Sequence, residues 1–201
     1  MVRLAAVAGE IRRSARAERQ RRIDPLTGLA SRHAFAERLD AHVLDPAARL
    51  LVLVVDVDDV DDIDRSLGAD AGQRVRRAAA DRLAALLGPA GFAARAGGAT
   101  FAGAVPDPAA LEGGGLAIDV RLAMLRPLNV AGIPLALNTT VGIAAAPEHG
   151  SSAVELLGAA DLAVRQGHRS SSRITVYRPA ATAASASRLA LLSELRTALD
   201  Q

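Results

Sequence analysis

The unbroken apolar run LLVLVVD at 50–56 predicts a strand buried on both faces and ending in a carboxylate, Asp56. Before it, Phe35, Leu39 and Val43 recur every fourth residue, which predicts a helix over 34–44 that Asp45-Pro46 terminates. After it, an acidic stretch passes Gly68 and Gly72 into a long helical pattern through Val75, Ala79, Leu83 and Leu87. Two short apolar runs, FAA at 92–94 and FAGAV at 101–105, then enclose a glycine pair within RAGGATF at 95–101. That pattern predicts two strands joined by a tight turn at Gly97 and Gly98.

A third helix is expected over 108–125, weakened by Gly113, Gly114 and Gly115. LNVAG at 128–132 and PLALNTTVGIAAA at 134–146 read as two further strands with Gly132 near the turn. Ser152 precedes an Ala/Leu helix to about Arg165, and ITVY at 174–177 closes the unit as a last strand. Counted from LLVLVVD, the order is strand, helices, two strands, helix, two strands, helix, strand, an α+β sheet with helices packed against it. Residues 1–22 place Leu4, Ala8, Ile11 and Ala15 on a short heptad seam among seven Arg and two Glu, a linker helix. Residues 178–187 (RPAATAASAS) read as a second linker, and Leu189, Leu192, Leu195 and Leu199 as an amphipathic helix that begins a further domain. The division is therefore 1–22, 23–178 and 179–201.

Composition narrows the chemistry. The 201 residues are 50% hydrophobic, enough for one well-buried domain, and contain no Cys, so no disulfide framework exists. Four scattered His make a structural zinc site an unsuitable expectation. No apolar run approaches a membrane span and the first residues carry Arg and Glu, so a cytoplasmic location is expected. All 24 basic residues are Arg, and any permanently cationic contact to phosphate must therefore be a planar guanidinium fork. Three Phe and one Tyr leave almost nothing for base stacking, so nucleic-acid binding could rest only on the Arg-rich 1–22 segment, the less favoured reading of it.

Several segments together resemble the GGDEF family, the diguanylate cyclases of bacterial cyclic-di-GMP signalling, over about residues 24–177. Asp24-Pro25-Leu26-Thr27-Gly28-Leu29 with Arg32 looks like the family's opening turn. DVDDVDDIDRSLGADAG at 56–72 is similar to its first metal loop and Gly-x-x-x-Gly frame, and RAGGATF stands in place of the signature. Ala160-Asp161 with ITVY resembles the closing helix and strand, and SRLALLSELRTAL at 187–199 looks like the first helix of an EAL phosphodiesterase domain. The resemblance implies a nucleotidyl-cyclase-like, ferredoxin-like palm with an antiparallel-rich central sheet flanked by helices.

It also implies where a GTP site would lie. Asp56 keeps the strand-end metal position, while Ala99 and Thr100 replace the two acidic residues of the signature. Metal binding at Asp56 is then weak or lost, because hard cations such as Mg²⁺ need a set of oxygen ligands. The nucleotide-binding positions fall at Asp56, Asp64, Gln73, Gly97 and Gly98, with Asp64 where the family has Asn and Gln73 where it has Asp. Asp61 stands where a Lys is usual, and His168 falls at the late phosphate-binding Lys, with Arg169 or Arg173 as partial substitutes. The product-inhibition motif would fall at Gly88 and Gly91 and is absent. Asp56, Asp58, Asp59, Asp61, Asp62 and Asp64 do not fit an EF-hand and read as a solvated acidic loop in preference to a Mg²⁺ or Ca²⁺ site. His149 is expected in a loop, His33 and His42 on a solvated helix face.

The expected function is a catalytically inactive GGDEF module that modulates an adjacent EAL phosphodiesterase, with GTP or cyclic-di-GMP as ligand and a homodimer formed through the linker helix. The alternatives are an active diguanylate cyclase converting two GTP to cyclic-di-GMP, and nucleic-acid binding by the Arg-rich segment.

Overall fold

The computed structural model describes residues 22–45, 47, 49–106, 115–170 and 172–179. Apart from Arg22 and Pro179, the segments read as a linker helix at 1–22 and as a linker and further helix at 179–201 lie outside the described residues. The elements run β1 (Ala30–Ser31), α1 (Arg32–Val43), β2 (Leu50–Val57), α2 (Val60–Leu67), α3 (Ala69–Leu87), β3 (Phe92–Gly97) and β4 (Thr100–Val105). Then come α4 (Gly115–Leu125), β5 (Leu128–Val130), β6 (Ile133–Leu135), β7 (Thr139–Ala146), α5 (Ala153–Arg169) and β8 (Ile174–Val176).

Six strands form one mixed sheet in the order β1-β3-β4-β2-β7-β8. The inner pairs β3/β4, β4/β2 and β2/β7 are antiparallel, and the outer pairs β1/β3 and β7/β8 are parallel. LLVLVVD lies at the centre because its side chains are apolar in both directions. Leu51, Leu53, Val55 and Val57 pack with Val75, Leu83, Val120 and Met124 of α3 and α4. Leu50, Val52 and Val54 pack on the other face with Phe35 and Leu39 of α1 and with Leu156, Ala160 and Val164 of α5. This is the α+β palm that the resemblance implies, with helices on both faces.

Three sequence expectations are corrected. The acidic stretch is a helix, α2, because Val60, Ile63 and Leu67 at helical spacing turn to the core while Asp61 and Asp62 face outward. The strand expected over 134–146 is two strands: β6 pairs with β5 in a separate two-stranded sheet, and 136–138 lead into β7 in the main sheet. The last helix continues past Arg165 to Arg169, which carries His168 into regular helix. Of the helix expected over 108–125, Gly115–Leu125 is α4 as read, and 108–114 lie outside the described residues. Two-residue β1 is an addition that no periodicity announces.

With few aromatic side chains, the layers approach closely. A Cβ on Gly142 of β7 would lie 2.1 Å from the Ala160 carbonyl oxygen and 2.7 Å from the Val164 amide of α5. The bare strand backbone is therefore what lets α5 sit this low on the sheet. Helix α5 is started by Ser152, whose hydroxyl accepts from the Glu155 amide at 3.3 Å, and is tied to α1 where Asp40 accepts from the Ala153 amide at 2.6 Å.

Gly142→Ala is expected to destabilise the fold by about 1–3 kcal/mol through overpacking against α5. Gly158→Ala, in the same helix but with open space around the added methyl, should stabilise by up to about 1 kcal/mol. Urea unfolding of the two variants checks both signs; a neutral Gly142→Ala would mean that α5 does not depend on the missing side chain.

Candidate functional site

Strand pairing brings the site together at the end of β2. Asp56 lies in register with Thr100 of β4 on one side and with Thr140 of β7 on the other, so a threonine, a carboxylate and a threonine form one row across three strands. The Thr100 hydroxyl donates to Asp56 Oδ1 at 2.7 Å. His168, near the C-terminus of α5, places Nε2 at 3.0 Å from Asp56 Oδ2 and Nδ1 at 3.4 Å from Thr140 Oγ1. Arg173, just before β8, donates to Thr140 Oγ1 at 3.1 Å and to Asp58 Oδ2 at 2.5 Å. A cavity of about 660 Å³ opens beside this group, bordered by Asp58, Asp59, Asp61, Gly98, Thr100 and His168 among others.

The hairpin turn is built by conformation rather than by lack of room. Gly97 (φ +150°) and Gly98 (φ +49°) both occupy backbone regions that side chains disfavour, although a Cβ at either would meet nothing within 4 Å. The turn is anchored on both sides. The Val57 amide donates to the Ala99 carbonyl at 3.2 Å, and Arg95 donates from Nε and Nη2 to the Gly98 carbonyl at 3.1 and 2.8 Å. The same guanidinium donates from Nη1 to Asp24 Oδ2 at 3.0 Å, joining the hairpin to the opening turn. Asp24 Oδ1 in turn accepts from the Thr27 amide and hydroxyl at 2.9 and 2.8 Å. Burial alone would raise the Asp24 carboxyl; the Thr27 bonds and Arg95 outweigh it and hold the group below its ordinary value.

The positions read as base-binding lie elsewhere. Asp64 and Gln73 border a second cleft of about 500 Å³ together with Arg76, Arg77 and Arg95. Asp64 is held there by a forked pair with Arg76, at 3.2 Å to Oδ1 and 2.6 Å to Oδ2. The hydrogen bond from Arg76 is the main cause that keeps the Asp64 carboxyl below its ordinary value. Gly72 makes this possible, since a Cβ there would stand 1.7 Å from Asp64 Oδ1.

Of the residues read from sequence, Asp56, Gly97, Gly98, Ala99 and Thr100 meet in one place, while Asp64 and Gln73 sit in the neighbouring cleft. The acidic run divides: Asp61 is 94% exposed whereas Asp58 is 12% exposed and paired, so the solvated-loop reading fails for Asp58. His168 and Arg173 do come to the site. His149 lies in a loop with Nδ1 accepting from the Ala145 amide at 2.9 Å, and His33 is on an exposed helix face with Glu37 at 3.2 Å. Thr140 and Arg76 were missed. Thr140 carries a signal, the polar NTT that precedes the apolar VGIAAA; Arg76 carries none beyond its place in a helix.

A palm sheet with a glycine hairpin beside a strand-end carboxylate defines the nucleotidyl-cyclase class. The chain belongs to the GGDEF family: the family described as "Diguanylate cyclase, GGDEF domain" matches residues 21–173. It is 35% identical over 126 residues to diguanylate cyclase DgcP of Pseudomonas aeruginosa, covering 61% of this chain and 19% of that protein. It is 30% identical over 148 residues to cyclic di-GMP phosphodiesterase NbdA of the same organism, covering 72% of this chain and 19% of the other. The chain thus spans about a fifth of the length of these relatives. The solved GGDEF domain of TpbB from P. aeruginosa superposes with a TM-score of 0.73 at 29% identity, covering 78% of this chain and 94% of that one. The domain is of the kind that serves cyclic-di-GMP signalling. Among the described residues no helix is long and apolar enough to cross a membrane.

The cations that family chemistry calls for need several free oxygen ligands. The residues here do not fit a metal pair: Ala99 turns a methyl against the core, and each Asp56 oxygen already accepts a hydrogen bond. Asp56, Asp58 and His168 form a group compact enough for one ion, with ligand atoms within 4.8 Å of one another.

Because its folded-state pKa is lowered, ionised Asp24 stabilises the fold above its unfolded-state value and loses that contribution as pH falls through the folded-state value. Asp24→Asn should therefore melt below wild type at neutral pH, and the difference should close below about pH 4. Melting curves across that range check it; a difference unchanged by acid would contradict the role of the Asp24 charge.

Proposed function

We propose that this domain is a catalytically inactive GGDEF module that works by regulation, modulating an adjacent EAL phosphodiesterase through nucleotide or protein binding. The observation that carries the reading is Asp56. Its two oxygens are taken by Thr100 and His168, and the position that should supply a second carboxylate is Ala99. Without that carboxylate, two triphosphates meeting at the site would lack the charge compensation that activates a 3′-hydroxyl. A loss of several kcal/mol there corresponds to several powers of ten in rate, at about 1.4 kcal/mol per tenfold.

The charge around the cavity supports the same reading. Asp56, Asp58, Asp59, Asp61 and Asp62 border it against one guanidinium and one imidazole, a poor setting for a polyphosphate. Asp64, bound to Arg76, is not free to receive the donor edge of guanine, which leaves Gln73 with a single acceptor oxygen. A phosphodiesterase, NbdA, is among the relatives in which a domain of this kind recurs, which supports an EAL neighbour as partner. Regulation would then run through contacts made by the segments flanking the domain.

Purified protein incubated with GTP and Mg²⁺ or Mn²⁺ is expected to yield no cyclic-di-GMP by chromatography, even at high enzyme concentration. In a full-length protein carrying an EAL domain, deleting residues 23–178 should change the rate of cyclic-di-GMP hydrolysis. Product from GTP would overturn the inactive reading, and an unchanged hydrolysis rate would overturn the regulatory one.

A further inference from the structure

We infer that a closed hydrogen-bond chain, Arg173 to Thr140 to His168 to Asp56 to Thr100, has taken the place of the divalent cation at the end of β2, so that the site is a latch rather than a metal centre. The inference rests on the proposed inactivity and deepens it, choosing loss over weakness for the metal at Asp56.

The argument is one of donors and acceptors. An ionised carboxylate can only accept, so His168 Nε2, at 3.0 Å from Asp56 Oδ2, must carry the ring proton on that side. In the neutral ring Nδ1 then accepts from the Thr140 hydroxyl at 3.4 Å, and the Thr140 oxygen accepts from Arg173 at 3.1 Å. At the other end the Thr100 hydroxyl donates to Asp56 Oδ1 at 2.7 Å. Each junction then has one donor and one acceptor, and the donors run inward from Arg173 and from Thr100 to the Asp56 carboxylate. Thr140 is fully buried, so its hydroxyl needs these partners, and a partly broken chain would leave it unsatisfied.

A divalent ion entering at Asp56 meets this chain as an obstacle. It has to compete with the N–H of His168 at Oδ2, disturb the partner of the Thr140 hydroxyl, and rest near Arg173, which is already bound to Asp58 at 2.5 Å. The chain also ties α5, through His168 near its C-terminus, to β2 and β7, a link the strand ladder does not make. The carboxylate and imidazole remain 31% and 37% exposed, so an ion in solution can reach the latch and test it.

The test is titration of the full 201-residue chain with Mn²⁺ alone, following loss of the free-ion paramagnetic resonance signal. Wild type is expected to bind nothing below about millimolar Mn²⁺. His168→Ala/Arg173→Ala, which frees Asp56 and Asp58, should bind at least about tenfold more tightly. Thr140→Val, which cuts the chain in the middle at nearly constant volume, should raise affinity by a smaller factor and serves if the double variant fails to fold. Micromolar binding by wild type, or variants that bind no better than wild type, overturns the latch. Cyclic-di-GMP made from GTP would instead overturn the proposed inactivity, so the two failures are read in different signals.

Discussion

A strand that is apolar on both faces has to sit inside a sheet, and the ladders on either side of β2 then decide which side chains meet its one polar residue. Register does this without choice: Asp56 opposes Thr100 and Thr140, and a slip of β2 by one residue would turn Asp56 to the opposite face, among the side chains of α3 and α4 and away from both threonines. Burial of Leu50 through Val55 fixes that register far more strongly than the polar bonds at its end could. The site is a consequence of the core, and substitutions at the site can change its chemistry while the sheet stays as it is. Such a scaffold can carry Ala99 and Thr100 beside the turn and keep its shape.

Much of the fold was legible because burial writes itself into period. LLVLVVD, the fourfold spacing of Phe35, Leu39 and Val43, and the Ser152 start of α5 all appear in the structure where the pattern places them. What failed has a physical cause in each case. Charge hid α2, since five carboxylates between 58 and 64 outweigh the Val60, Ile63 and Leu67 stripe in any simple reading. The break at 136–138 was missed because a chain can leave one sheet and enter another without a glycine or charge to mark it, the polar Asn138 being the one sign. Two-residue β1 depends on its parallel partner Ala94-Arg95 and has no periodicity of its own.

The site was half legible. Residues recognised by position, Asp56, Gly97, Gly98 and Thr100, lie near one another, but their hydrogen-bond partners include residues distant in sequence. His168 stands 112 residues from Asp56 and was assignable only through a count along α5. Arg76 captures Asp64 across 12 residues and two helices, which no spacing rule links. Gly72 looked like part of a turn frame, whereas its effect is to make room for a carboxylate side chain.

Arg95 illustrates what a chain without lysine gains and gives up. A lysine could bridge Asp24 and the Gly98 carbonyl only as a swivelling point charge, whereas the guanidinium holds both from one rigid plane. The opening turn and the hairpin turn are in effect two ends of a flat strut. A displacement of Asp24 would therefore be carried by that plane to Gly98, so the opening turn has a direct line to the glycines of the hairpin.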